Sequence, residues 1–359
     1  MSTDSQAFQK AHELAKKLQE HISQTIFGQE ELIREALCAF LASGHLLITG
    51  APGLAKTTLV RVLARSLGLK FGRVQFTPDL LPSDIIGCDI LNIDEKTYRR
   101  SFEFVPGPMF VNLLLADEIN RASPRTQSAM LESMQERKAT VGGRDYMLPL
   151  PFMVFATQNP FESEGTFPLP EAQLDRFLLH ALVEYPHEKA ELQILQEHTR
   201  GNLVGEKIIE DGHRLESHKS SSTPQKASIL DHTEVMHVVE EAKKVKVEDE
   251  VLAGILELVR SSRPQDVHCP QEMKKNLWYG AGPRAALSLV SAGKALALFE
   301  GEERLLWRHV KRLCKPAMRH RIRMFNGSDR DRLGVDAFIE ELLQRLEERH
   351  VNLARGVGL

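Results

Sequence analysis

The sequence predicts an α/β fold, a five-stranded parallel sheet between helices followed by an all-α C-terminal domain, and three observations predict it. Between Gly44 and Tyr185, five short apolar runs alternate with helical patterns, the signature of a parallel sheet covered on both faces. Beyond residue 232, apolar residues recur only at helical spacing. Between these regions, residues 201–232 carry Ser, Lys, His and Gly with little periodicity, which reads as a flexible connector. The expected organisation is therefore a first domain over 1–200, the connector over 201–232 and an all-α domain over 233–359. A length of 359 residues suits two domains.

Taken in order, Phe8, Ala11, Ala15, Leu18 and Ile22 define an opening amphipathic helix expected to pack on the first domain. The strand candidates are His45–Thr49, Phe71–Phe76, Val111–Ala116, Phe152–Thr157 and Phe177–Val183. Two stretches break the alternation and read as hairpins. One runs from Cys88 through Asn92-Ile93-Asp94-Glu95 to Phe104, the other from Arg137 through Gly142-Gly143 to Leu148, where paired glycines suit a tight turn. In the second domain Val235, Val238 and Val239, then Val251, Leu252, Ile255, Leu258 and Val259, then Leu287, Val290 and Leu298, then Phe338, Ile339, Leu342, Leu343 and Leu346 are helix-spaced.

Composition excludes several functions. With 46 basic and 49 acidic residues the formal charge is −3, so no global positive field draws the chain to nucleic acid or anionic lipid. No apolar run approaches the about 18 residues a membrane span needs. The N-terminal MSTDSQAFQK lacks a secretory layout, so a cytoplasmic location is expected. Cys38, Cys88, Cys269 and Cys314 are far apart, as expected of reduced thiols; His268 beside Cys269 reads as a loop pair. The tract Lys311–Arg323 is basic but lacks interleaved aromatics. Arg121, Arg125, Arg137 and Lys138 cluster around the second hairpin and could bind a polyanion, but Glu132 and Glu136 are interleaved with them, which reads as a solvated helical face.

The chemistry starts at Gly50, Ala51, Pro52, Gly53, Leu54, Ala55, Lys56 and Thr57, with Thr58 next to it, between an apolar strand and a helix. That is the context of a phosphate-binding loop. Glycines let backbone N–H groups wrap a phosphate chain, Lys56 reaches the β and γ phosphates, and the Thr57 hydroxyl holds Mg²⁺. The usual pattern places Gly where Ala55 stands; a methyl is tolerated there if φ stays negative. Val111–Glu118 is an apolar strand ending in two acids, Asp117 to bind Mg²⁺ and Glu118 to polarise the attacking water. A third strand ends in Gln158-Asn159-Pro160, making Asn159 a candidate sensor of the γ-phosphate, or simply a turn former.

The blocks GAPGLAKT, QFTPDLLPSDIIG, LLLADEINRASPRTQSAMLESMQE, VFATQNPFESEGTFPLPEAQLDRF and YGAGPRA together resemble the MoxR family of AAA+ ATPases over nearly the whole chain. The resemblance implies an AAA+ core with a C-terminal lid, Walker A at Gly50 to Thr57, Walker B at Asp117 and Glu118, and Asn159 as first sensor. It implies Arg176 as a finger reaching the neighbouring subunit's nucleotide, Arg284 as second sensor on the lid, and the adenine held by Phe27, Gly28 and Gln29 after Ile26. The two hairpins correspond in it to a helix-2 insert and a pre-sensor hairpin. From the residues alone, Arg176 reads equally as a surface residue salt-bridged beside Asp175, and Arg284 as a residue near a helix start.

The implied function is ATP-driven remodelling or maturation of a partner protein, often one with a von Willebrand A domain, by a ring-shaped homo-oligomer, a hexamer. No separate recognition domain is expected, so hairpins, opening helix or lid would read the partner. The alternatives are a nucleotide-gated regulatory binding module, or a motor for metal chelation or nucleic-acid processing.

Overall fold

The computed structural model describes residues 3–93, 98, 100–160, 165–200, 228–325 and 332–350. Of the expected connector, 201–227 lies outside these residues, as does Asp94-Glu95 in the first hairpin.

Five strands form one parallel sheet: β1 (Leu46–Gly50), β2 (Phe71–Gln75), β5 (Leu113–Asp117), β8 (Met153–Gln158) and β9 (Leu179–Val183), in the order β2-β5-β8-β1-β9. All five expected runs are strands, each within two residues of its expected limits. The three central strands are buried along almost their whole length. Their side chains alternate between two cores. Leu46, Ile48, Leu113, Leu115, Met153 and Phe155 face one, while Leu47, Leu114, Ala116, Val154 and Ala156 face the other, as the period of two in a strand requires.

The second core is closed by α4 (Pro82–Ile86), α5 (Pro124–Glu136) and α6 (Glu171–Leu174), through Ile85, Met130, Leu131, Met134 and Leu174. The first is closed by α1 (Thr3–Ser23), α2 (Glu30–Leu41) and α3 (Lys56–Ser66). A further helix, α7 (Glu188–Thr199), follows β9.

Both hairpins form. β3 (Gly87–Ile93) pairs with β4 (Arg100–Pro106), and β6 (Lys138–Val141) with β7 (Arg144–Met147). The second turns on Gly142 and Gly143, both with positive φ (56° and 77°), as a mirror-type two-residue turn demands. The hairpins touch each other: the rings of Phe104 and Tyr146 stack at 3.8 Å with a 17° interplanar angle.

The C-terminal part comprises α8 (His232–Lys244), α9 (Asp249–Ser261), α10 (Gln271–Lys274), α11 (Pro283–Phe299), α12 (Trp307–Met318) and α13 (Arg332–Arg349). Two short ribbons join these helices, β10 (Lys246–Val247) with β12 (Arg304–Leu305) and β11 (Leu277–Tyr279) with β13 (Arg323–Met324). Residues 228–232, expected in the connector, pack instead. Leu230 is buried, the Ile229 and Leu230 N–H groups donate to the Ser66 carbonyl, and Asp231 and Glu234 form a reciprocal capping box at the start of α8.

The opening helix does more than cover the first domain. α1 contacts α8 and α11 as well as α2 and α3, and His12 Nδ1 bonds the Leu298 carbonyl at 2.8 Å. Its apolar stripe therefore joins the sheet core to the C-terminal helices in one continuous cluster. A polar clasp adds to this: Arg319 of the α12 end grips Asp336 with two hydrogen bonds (2.9 and 2.7 Å) and donates to the His180 carbonyl of β9. Beside it, burial pushes the Glu35 carboxyl of α2 from 4.5 up to about 8.

Candidate active site

The strand register assembles the site. Gln75 of β2 pairs with Asp117 of β5, Gln158 of β8 with Thr49 of β1, and Gly50 with Val183 of β9. The Gly50 to Thr57 loop, the two acids and Asn159 thus emerge together at the C-terminal edge of the sheet, where open α/β sheets bind ligands.

Lys56 opens α3 and its Nζ donates to the Gly50 carbonyl at 2.6 Å. Burial pulls its ammonium below the ordinary lysine range, against the opposing pull of Asp117 and Glu118. Thr57 and Thr58 follow in the first turn of the same helix, so their N–H groups join those of the loop at a helix N-terminus. Gly50 lies against Val183, where an added Cβ would meet that side chain at 2.7 Å. Ala55 overturns one expectation: its φ is +55°, not negative. The loop keeps its left-handed turn, and the methyl bears the strain.

Asp117 and Glu118 are held by the chain itself. The Thr157 hydroxyl donates to Asp117 Oδ1 (2.6 Å) and accepts from the Glu118 N–H (2.9 Å). Arg73 of β2 donates to Asp117 Oδ2 from Nη2 at 2.7 Å. Gln75 Nε2 donates to Glu118 Oε2 at 2.8 Å, and Arg121 to the same oxygen at 3.0 Å. Glu118 itself has φ 57° and ψ 49°, an uncommon conformation for a non-glycine residue that aims it out of the strand line. Asn159, buried, follows directly on β8. Sequence reasoning missed Thr157, Arg73 and Gln75. Their signal was weak: polar residues at the ends of apolar runs, on the strands next to the acids.

The expected adenine segment divides. Phe27 and Gly28 line a cavity of about 680 Å³ with His187, Ala190 and Glu197. Gln29 turns away, its side chain buried and its Nε2 on the Glu184 carbonyl at 3.0 Å, so it fastens the segment to the end of β9.

Arg176 and Arg284 stand elsewhere. They line a cavity of about 270 Å³ with Gly44, His45 and Leu178, residues that precede β1 and β9. This is the N-terminal edge of the sheet, one strand length of about 16 Å from the phosphate loop. Asp175 accepts from Arg284 at 3.4 Å and from the buried Arg321 at 2.8 Å. Arg176 forms no ion pair with any described residue within 4 Å.

The basic tract is spent internally. Lys311 pairs with Glu347, Arg312 with Glu31, Lys315 with Glu340, Arg319 with Asp336, Arg321 with Asp175 and Arg323 with Glu171.

A phosphate loop, paired acids after a buried strand, and a helical domain over a β2-β5-β8-β1-β9 sheet define a nucleotide-binding ATPase domain with its lid. Residues 45–179 match the AAA family, described as ATPase family associated with various cellular activities, and residues 273–342 match the AAA lid domain. The chain is 35% identical to Chaperone MoxR1 of Mycobacterium tuberculosis, over 96% of this chain and 84% of that one. It is 35% identical to the uncharacterized protein YeaC of Bacillus subtilis, over 94% and 95%. A crystal structure of a protein assigned as an ATPase from Cytophaga hutchinsonii superposes with a TM-score of 0.80 at 33% identity, covering 94% of this chain and 96% of the other. The chain belongs to the MoxR family of AAA+ ATPases.

Proposed function

We propose that the chain hydrolyses ATP with Mg²⁺ in a head-to-tail ring, a hexamer on the family resemblance, and that the cycle remodels or matures a partner protein of the von Willebrand A domain class. One observation carries the ring: Arg176 and Arg284 lie at the opposite edge of the sheet from Lys56. A chain cannot bring these cations to its own phosphate loop, so they serve the loop of the next chain, in a heterologous contact that closes on itself.

Within one site, the loop N–H groups and Lys56 bind the phosphates, and Glu118 orients the attacking water and accepts its proton. Asn159 fixes that geometry, and the neighbour's Arg176 and Arg284 neutralise charge developing on the transferred phosphoryl. The donor set suits Mg²⁺. Thr57 and Asp117 offer hard oxygens, and Asp117 already carries a cation, the Arg73 guanidinium. Mg²⁺, when bound, supplies charge neutralisation between the phosphates. The pairing of the basic tract weighs against nucleic acid as the partner.

Capping of Glu118 by Gln75 and Arg121 favours a second reading, a slow nucleotide-gated module. ATPase rate against protein concentration, with Arg176→Ala chains mixed into wild type, separates the two. A steep rise poisoned by a minority of mutant chains supports the ring; a flat, unpoisoned rate supports the module.

A further inference from the structure

We infer that Arg137 is a third cation presented to the neighbouring chain's nucleotide, and that it links that contact to the two hairpins. The inference rests on the ring reading above.

Arg137 lines the same cavity as Arg176 and Arg284. Four guanidinium groups, those of Arg137, Arg176, Arg284 and Arg321, face a single carboxylate, Asp175, among the lining residues. Arg321 is buried and spent on Asp175 and on main-chain carbonyls of 175, 177 and 178. Arg137 forms no ion pair with a described residue within 4 Å, although Glu132 and Glu136 lie on the preceding helix. Its one side-chain hydrogen bond to a described residue, to the Ser43 carbonyl, is long at 3.4 Å. The neighbouring His45 adds no positive charge, because burial, with Arg137 nearby, drives it down to about 4. A cavity with this excess of cations selects an anion with several oxygens, and a terminal phosphate brought by a second chain meets that requirement.

The sequence suggests a solvated helical face for Arg137, but the residue ends the helix. It has φ 54° and ψ 31° at the C-cap of α5, which swings its side chain off the helix face that carries the glutamates. Its own carbonyl accepts from the Leu148 N–H at 3.0 Å, closing the base of the second hairpin. That hairpin carries Tyr146, stacked on Phe104 of the first. A pull on the Arg137 side chain therefore acts at the root of the second hairpin and, through the stacked rings, on the first, and the chain leaving the second one runs into β8 and Asn159.

The test pairs a chain defective at one edge with a chain defective at the other. Arg137→Ala and Glu118→Gln chains, each slow alone, are mixed; the expected result is turnover well above the sum of the two, because some junctions then carry both intact halves. Arg137→Ala alone should lose about 10²-fold, with Arg137→Lys intermediate. As a second readout, an environment-sensitive dye on Cys88, exposed on β3 while Cys38, Cys269 and Cys314 are buried, should respond to ATP in Glu118→Gln chains. That response should vanish when Arg137→Ala is added to them. Recovery when Arg176→Ala is the partner but not when Arg137→Ala is would overturn the role of Arg137 and leave the ring standing. Recovery with neither would bring down the ring reading and this inference with it. Saturable binding of inorganic phosphate to the monomeric chain, abolished by Arg137→Ala, would assign the cavity to a free anion and likewise overturn the proposal.

Discussion

The two edges of the central sheet differ in how completely their charges are paired. At the C-terminal edge each acid has a partner from its own chain, Arg73 on Asp117 and both Gln75 and Arg121 on Glu118. At the N-terminal edge Arg137 and Arg176 have no acidic partner among the described residues. The acidic edge is self-satisfied and must be opened by its ligand, whereas the basic edge is unfinished until something anionic arrives. On the ring reading proposed above, the basic edge is the one that a neighbour would complete.

The comparison breaks most visibly if the edges are not separable. Lys56→Ala should weaken nucleotide binding about 10²-fold or more, while Arg176→Ala should leave affinity within roughly twofold and lower turnover about 10³-fold; fluorescent-nucleotide titration beside steady-state rates distinguishes them. Equal losses of affinity in both variants would mean that the edges act on one chain's nucleotide.

Between the edges, Glu35 offers a control on stability alone. Its folded pKa of about 8 against 4.5 unfolded means the folded state keeps a proton that the unfolded chain releases, so this contribution is full below pH 4.5 and is lost as pH rises to 8. Glu35→Gln should therefore raise stability at pH 8, by at most about 4 kcal/mol, and change little near pH 4, as denaturant melts at the two pH values would record. Arg34, Arg319, Glu31 and Asp336 face the same carboxyl and remain in place. A smaller effect is expected of Arg73→Ala. Freeing Asp117 from an exposed pair removes about 0.5–1 kcal/mol of competition. The Mg²⁺ needed for half-maximal nucleotide binding should then fall roughly two- to fivefold, and an unchanged requirement would show that the pair does not compete. Smallest, Ala55→Gly should stabilise the chain by about 0.5–1 kcal/mol by relieving the left-handed residue; a lower melting temperature would locate the strain elsewhere.

The acidic edge was largely legible in the sequence because its chemistry is local. Gly50 to Thr57, Asp117-Glu118 and Asn159 each sit where a buried run ends, and burial of the run fixes both the strand and the exit of the next residue. Arg73, Gln75 and Thr157 were not legible, since their meaning depends on which strands are neighbours, and nothing in one chain's periodicity states the order β2-β5-β8-β1-β9. The basic edge was legible only through resemblance. Arg176 and Arg284 are 108 positions apart, and the residue that Asp175 grips across the fold, Arg321, carries no local signal. Arg137 is exposed, as expected of a solvated position, but the helical face was extended one residue past the point where the backbone turns left-handed. The opening helix was placed on the first domain alone because its stripe says that it is covered, not by what.

That helix has a calorimetric consequence. Its stripe, with α2, belongs to a cluster that runs without a break from the β1 face to α11 and α12, so heat has no apolar seam along which to split the lid from the rest. Melting should be a single endotherm spanning both parts of the chain, and a deletion of residues 1–23 should lower its midpoint without dividing it, since α2 meets α11 and β9 meets α12 directly.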